Sequence, residues 1–187
     1  MNRTRFGVMT FVVFVFFGVA AAGAGSNHGA RVEMTDDCDP ATFNAAIGPG
    51  TCVGGGETTF QDFIAQLQAQ GSADDWEFDP GKLRLKPGAN ISVRNEGGEF
   101  HTFTEVANYG GGCIAALNNI LGLTPVPECL PLAGPNGPPL AFITTGVPTG
   151  GSRSFAALGP GVHRFECLIH PWMRTTVTVA NGRGGDD

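Results

Sequence analysis

The spacing of apolar residues along the chain changes near residue 71. Before that point, the segment ETTFQDFIAQLQAQG carries apolar residues at helical spacing: Phe60, Phe63, Ile64 and Leu67. Thr58 or Thr59 can cap the start of a helix here, and Gly71 is a typical end. This pattern predicts one amphipathic helix.

Beyond Gly71, short runs alternate between apolar and polar residues and are separated by Gly, Pro or Asn. The runs are DWEFDP, KLRLKPG, NISVRN, HTFTEV, LAFITT, SRSFAAL, VHRFEC and RTTVTVA. Alternation with period two predicts strands, and many short strands at this spacing are typical of an antiparallel sandwich or barrel. The predicted fold class is therefore all-β, an antiparallel sandwich or barrel preceded by a helical N-terminal extension.

The N-terminus has the pattern of a secretory signal peptide. Arg3 and Arg5 precede an apolar run, and small residues follow up to Ala22 or Ala24, where we expect cleavage. An uncleaved anchor is the alternative, because the run approaches the roughly 20 residues that a span requires. Its second half is Ala and Gly, so we expect an exported protein, periplasmic or extracellular, without stable membrane insertion after cleavage.

The rest of the chain divides into one domain with additions. We predict an N-terminal extension with one helix at 25–73 and a β domain at 74–181. A long loop, rich in Gly and Pro, is inserted in this domain at about 107–140, with a short helical piece near 115–121. Residues 182–187 (GRGGDD) are expected to form a disordered tail.

Charge argues against one class of partner. Removal of residues 1–24 takes away two of the 11 basic residues, which leaves 9 against 17 acidic residues and a net charge of −8. A nucleic-acid-binding domain is normally basic on at least one face. We therefore expect no nucleic acid partner.

The five cysteines are odd in number for a chain that enters an oxidising compartment. We favour two local disulfides, Cys38 with Cys52 and Cys113 with Cys129, which leaves Cys167 free. Sequence alone does not fix this connectivity, because four cysteines allow three pairings.

The free cysteine lies in FECLIHPWM, where Cys167, His170 and Met173 fall within seven residues. A thiolate, an imidazole and a thioether form a soft ligand set that suits copper much better than magnesium or calcium. A trigonal site with two histidines, one cysteine and a weak axial methionine still needs a second histidine.

Three other histidines could supply it. His163 lies about 13 Å from Cys167 if both belong to one strand, and His28 is close to the expected new N-terminus. His101 begins a separate strand run and is the best-placed donor. For each residue alone, an ordinary structural role in the core or in a loop is the simpler interpretation.

A lone histidine after VRNEGGEF, followed by LGPGVHRFECLIHPWM and a final strand, resembles the cupredoxins, the blue copper proteins of amicyanin and plastocyanin type. The resemblance covers about Trp76 to Ala180 and implies a Greek-key sandwich that binds one type 1 copper ion. It implies these copper ligands: His101, Cys167, His170 and Met173. In plastocyanin an asparagine follows the first histidine ligand, and here we expect the backbone N–H or the hydroxyl of Thr102 to take its place.

This resemblance also implies a function, namely an electron carrier that cycles between Cu(I) and Cu(II) and is not an enzyme. The expected partners are a redox donor and a redox acceptor, which would dock transiently near His170, Pro171 and Trp172. The electron would pass through an exposed edge of the His170 ring.

The residues present argue against other functions. A catalytic copper needs an open position or neighbouring metals, and too few histidines remain for a second centre. A copper carrier without an electron-transfer role is the alternative function, but the mature chain lacks tracts rich in Met or His. Zinc is the rival metal, because C-x-x-H is half of a zinc site, yet zinc would not use Met173 and no second Cys or His pair is free.

Overall fold

The structure is a computed structural model that describes residues 29–181. The expected signal peptide (1–24) and tail (182–187) lie outside the described residues. In chain order the elements are β1 (Ala30–Thr35), α1 (Pro40–Ala46), α2 (Phe60–Gln70), β2 (Glu77–Asp79), β3 (Lys82–Leu85), β4 (Ile91–Asn95), β5 (His101–Thr102), β6 (Thr104–Val106), α3 (Ala115–Leu121), a 3₁₀ turn (Pro127–Cys129), α4 (Leu140–Thr144), β7 (Gly146–Val147), β8 (Ser152–Phe155), β9 (Gly161–Glu166) and β10 (Arg174–Val179).

The strands form two four-stranded sheets and one small pair. One sheet has the order β2-β1-β4-β8 and the other β3-β10-β9-β6, while β5 pairs with β7. The predicted β class is confirmed, and strands occur in seven of the eight alternating runs.

The sheets are mixed, whereas an antiparallel sandwich was predicted. Strand β1 runs parallel to β4, with Val32 opposite Val93, and β3 runs parallel to β10, with Leu83 opposite Val177. Parallel neighbours need long connections, and both pairs join segments that are far apart in the sequence. Alternation within a strand carries no information about the direction of its neighbour, so the sequence pattern could not reveal these pairs.

A cluster of phenylalanines forms the centre of the core. Phe103 is completely buried, and its ring stacks on Phe165 with 4.3 Å between ring centroids. Phe78 and Phe155 contact the same ring at 5.3 and 5.0 Å. Phe103 follows His101 on the chain, and Phe165 precedes Cys167. The core therefore fixes the strand ends that carry His101 and Cys167.

The predicted helix is α2. The Thr59 side chain accepts a hydrogen bond from the Asp62 N–H, and Gly71 ends the helix with φ of 78°, as its sequence predicts. Its buried face presents Phe63 and Leu67 to the core.

The segment 25–73 holds more structure than the one helix that was predicted. It contributes β1, which lies inside a sheet, and a second helix, α1. The Asp39 side chain caps α1 by accepting hydrogen bonds from the N–H groups of Ala41 and Thr42, and Pro40 occupies the first turn.

One predicted strand is wrong. The run LAFITT contains helix α4. The hydroxyls of its last residue, Thr144, and of the next residue, Thr145, donate to the carbonyls of Leu140 and Ala141. Leu140 and Ile143 are exposed, so the alternation of this run does not mark a face turned to the core.

Both predicted disulfides are present, Cys38 with Cys52 and Cys113 with Cys129, and Cys167 is free and buried. The short helix predicted in the long loop is α3, at the predicted position. Within residues 29–181, every helix is too short or too polar to span a lipid bilayer.

Candidate metal centre

His101 is placed by the short strand β5. It lies opposite Val147 of β7, and its side chain is completely buried. The next apolar residue, Phe103, enters the phenylalanine core described above. The position of the His101 ring is therefore set by the sandwich itself.

The other candidate ligands lie on one tight turn between β9 and β10. The Cys167 N–H donates to the Met173 carbonyl at 3.1 Å, and the Met173 N–H donates to the His170 carbonyl at 2.9 Å. These bonds close the turn, so that residues six positions apart become neighbours. Cys167 and Met173 are completely buried, and His170 is 2% exposed.

The long insertion supports this turn from outside. The Cys113 N–H donates to the Leu168 carbonyl at 2.6 Å. The buried Glu166 carboxylate accepts from Arg174 Nε at 3.0 Å and from the Gly110 N–H at 3.1 Å. Burial raises the pKa of Glu166 to about 7, although the charge of Arg174 acts in the opposite direction.

Three donor atoms meet in one place. The Nδ1 atoms of His101 and His170 lie 3.8 and 4.0 Å from Cys167 Sγ and 3.2 Å from each other. A metal ion with bonds of about 2.0 Å to nitrogen and about 2.3 Å to sulfur keeps its donor atoms this far apart. These three residues form the group that could hold a metal ion among residues 29–181.

The surroundings of Cys167 favour a thiolate. Burial alone would raise the pKa of this thiol, but hydrogen bonds and charge from His101 and His170 lower it well below its ordinary value. The Thr102 backbone N–H also points to Sγ, at 3.4 Å. Of the two expectations for Thr102 the backbone contact is present, because the hydroxyl instead accepts the Leu168 N–H at 2.8 Å.

The outer nitrogen of His101 is held by a buried carboxylate. Asp36 Oδ2 lies 2.9 Å from His101 Nε2, and the Asp36 carboxylate also accepts the N–H groups of Gly98 and Glu99 at 2.9 and 3.0 Å. Burial alone would raise the pKa of Asp36 and lower the pKa of His101, because it disfavours both charged forms. The contact with Asp36, together with the hydrogen bond and charge of Cys167, nevertheless raises the pKa of His101 to about 9. The contact with His101 and the backbone donors lower the pKa of Asp36 to about 2. A carboxylate on the outer nitrogen fixes which nitrogen of a histidine faces a metal.

His170 has a different environment. Its Nε2 lies 3.4 Å from Glu99 Oε2, and the same oxygen accepts the Trp76 indole N–H at 2.7 Å. The rings of Trp172 and Phe63 lie against the imidazole, with centroids at 5.4 and 6.2 Å. The expectation of an exposed His170 edge is therefore wrong, because these side chains cover it.

The expected docking residues also differ in exposure. Pro171 is buried like His170, whereas Trp172 is half-buried. Of the three, Trp172 is the one whose side chain is partly exposed to solvent.

Met173 and His163 complete the set of sequence candidates. Met173 packs in the same buried cluster as Cys167, and its role as an axial ligand stays a prediction. His163 lies on β9 with its ring held by Glu105 and by the Gly159 carbonyl, away from the donor group as expected. His28 lies outside the described residues.

Two residues of the site were not found from the sequence. Glu99 is two positions before His101, and this spacing could have marked it as a nearby carboxylate. Asp36 is 65 residues from His101 and reaches it only because β1 lies beside β4 in the sheet. No local pattern in the sequence indicates this contact.

No protein-family model and no curated protein matches the chain. It is similar in structure to a purple cupredoxin from Nitrosopumilus maritimus, with 14% identity over 81% of this chain and 99% of that chain and a TM-score of 0.41. Fern plastocyanin from Dryopteris crassirhizoma has 14% identity over 80% and 99%, with a TM-score of 0.38.

An amicyanin variant in its Cu(I) form has 18% identity over 62% of this chain and 88% of that chain, with a TM-score of 0.34. At these values the function has to be argued from the site itself. These three solved structures are cupredoxins, the class that the sequence resembles.

Proposed function

We propose that the chain is an exported blue copper protein that carries single electrons between redox partners through one type 1 copper ion. The proposed ligands are His101, Cys167, His170 and Met173. The observation that carries this proposal is the convergence of two imidazole nitrogens and one thiol sulfur in a buried pocket. Copper is the metal that such a soft, trigonal donor set suits, and when bound it would supply a one-electron couple.

Burial of the donors supports electron transfer over catalysis. A catalytic metal needs a position that substrate or water can reach, whereas His101 and Cys167 are completely enclosed and His170 is nearly so. The same enclosure opposes rapid exchange of the ion, which a copper carrier would need.

The chain's own residues would keep the site rigid. Asp36 fixes the His101 ring, the Thr102 N–H supports the Cys167 sulfur, and Glu99 contacts His170. Donors that are held by the fold need not move when the charge at the centre changes, so little reorganisation opposes the electron. The half-buried Trp172 ring, 5.4 Å from His170, offers a route to the surface.

Redox cycling in the presence of a chelator tests the proposal against carriage. The copper-loaded protein would be reduced with ascorbate and reoxidised with ferricyanide several times, with a strong copper(I) chelator present. An electron carrier keeps its copper and regains its full visible absorbance in each cycle. Transfer of the copper to the chelator in the first reduced state would favour the carrier function.

A further inference from the structure

A cavity of about 350 Å³ lies beside the metal centre, where α1, α2 and α3 meet the turn that carries His170. Its walls are mainly apolar. The rings of Phe43, Phe60 and Phe63 form one aromatic wall, with Phe43 at 5.3 and 5.4 Å from the other two. Ile47 also lines the cavity and is 55% exposed, so the space opens to solvent on the side of α1.

Few polar groups reach this space. Thr51, Glu99 and His170 are the polar residues among those that line it. The contacts of Glu99 with Trp76 and with His170 both use Oε2. A carboxylate can accept about four hydrogen bonds, so Glu99 keeps acceptor capacity on Oε1 for a donor that enters the cavity.

Size and composition define the class of ligand. Pockets for small molecules are typically about 300–1,000 Å³, mostly apolar, with a few convergent polar groups. Water gains little in an apolar space of this kind, whereas an engineered apolar cavity of about 150 Å³ stays dry and binds benzene. Phenylalanine rings favour an aromatic guest because offset and edge-to-face contacts add to simple burial. The Glu99 carboxyl, one of the few polar groups in the lining, favours a guest that carries a hydroxyl.

We propose that this cavity binds a small aromatic alcohol of one or two rings, whose hydroxyl donates to Glu99. The ring would pack between the phenylalanines and α3 and would lie next to the His170 imidazole. The inference does not rest on the proposed copper function, because every group that would bind the ligand is a protein side chain.

The test uses 2-naphthol and its methyl ether, which has the same rings but no hydroxyl donor. Both would be titrated into the full-length mature protein as purified and after copper loading, with two-dimensional ¹H–¹⁵N spectra as the readout. We expect saturable shifts confined to α1, α2, α3 and the His170 turn. The naphthol should bind about ten-fold or more tightly than the ether, because the ether has no hydroxyl to donate to the Glu99 carboxyl. Failure of both compounds to bind would overturn the proposal, and equal binding would overturn the role of Glu99.

Variants locate the site. Ala116 is an exposed residue of α3 that lines the cavity, so Ala116→Phe adds a ring there with little risk to the fold and should weaken naphthol binding by ten-fold or more. Leu130→Phe is the matched control, since Leu130 is 78% exposed and does not line the cavity. Equal binding by the two variants would place the naphthol elsewhere and contradict the proposal, whether or not the protein binds copper.

Discussion

The two histidines of the candidate centre are held in different ways. His101 lies on a strand of the sandwich, and a buried carboxylate with several backbone donors fixes its outer nitrogen. His170 lies on a turn and makes a longer contact with Glu99. Its ring is covered by the aromatic side chains of Phe63, on α2, and Trp76. Hydrogen bonds thus position one imidazole and packing positions the other.

This difference shows what the N-terminal segment adds. Asp36 follows β1 and supports His101, while Phe63 of α2 covers His170. Both supports come from the segment 25–73, which the sequence marked only as an extension. The proposed ligands are all outside that segment, but their environment depends on it.

The largest expected effect comes from the residue that both histidines face. Cys167→Ser replaces the thiolate by a poor donor, so we expect complete loss of the visible thiolate-to-copper absorption band. The protein should still fold, which circular dichroism would check, because serine fits the same buried space. A variant that kept most of the band would show that Cys167 is not the thiolate ligand.

Loss of the Phe63 ring that covers His170 should mainly lower the free energy of unfolding. Phe63 is 2% exposed, and Phe63→Ala should lower the free energy of unfolding by about 3 kcal/mol or more, as is usual for buried phenylalanines. The copper EPR spectrum should change as well, because His170 loses a packing partner. Denaturant titration and EPR measure the two effects.

Phe60→Ala is the control for that variant. Phe60 is half-buried and packs on Phe43 and Phe63 without touching His170. It should lower the unfolding free energy by a smaller amount and leave the EPR spectrum unchanged. A change in the EPR spectrum equal to that of Phe63→Ala would argue against a specific role of packing at His170.

The two carboxylates should differ in their effect on metal affinity. Asp36→Asn removes the charge behind His101, and loss of such a partner typically weakens metal binding about 10- to 100-fold. Glu99→Gln should cost less, because the Glu99 contact with His170 is 3.4 Å, against 2.9 Å for Asp36 with His101. Competition with a chelator of known affinity measures both.

Asp37→Asn is the matched control, since Asp37 carries the same charge one position along. Its carboxylate accepts from the N–H groups of Glu57 and Thr58 and does not contact His101. Copper affinity should be unchanged in this variant. A loss equal to that of Asp36→Asn would mean that net charge, and not the contact with His101, sets the affinity.

The smallest effect is expected at Met173. As a weak axial donor it should tune the metal more than hold it, so Met173→Leu should retain copper and raise the reduction potential. Voltammetry of the two proteins checks the direction. Failure of the variant to bind copper would rule out an axial role.

Much of the fold followed from local patterns in the sequence. Helix α2, the short helix α3 and most strands have periodic apolar residues with turn residues at their ends, and the two disulfides join near neighbours. The direction of strand pairing did not follow, because β1 and β4 meet only in the folded sheet. The strand predicted in LAFITT failed because a short apolar run fits a helical turn equally well.

The candidate site was partly predictable for the same reason. Cys167, His170 and Met173 are close in sequence, and few histidines remained to complete the set. The burial of His170 could not be predicted, since the Trp76, Phe63 and Glu99 side chains that cover it come from distant segments. The role of Asp36 could not be predicted, because its contact with His101 forms only when β1 pairs with β4 in the folded sheet.

Copper(II) titration of the purified mature protein, followed by visible absorption and EPR spectroscopy, tests the central claim most directly. The account predicts saturation at one copper per chain, an intense thiolate-to-copper band and a narrow hyperfine splitting. A colourless complex from which a chelator readily removes the ion would contradict it.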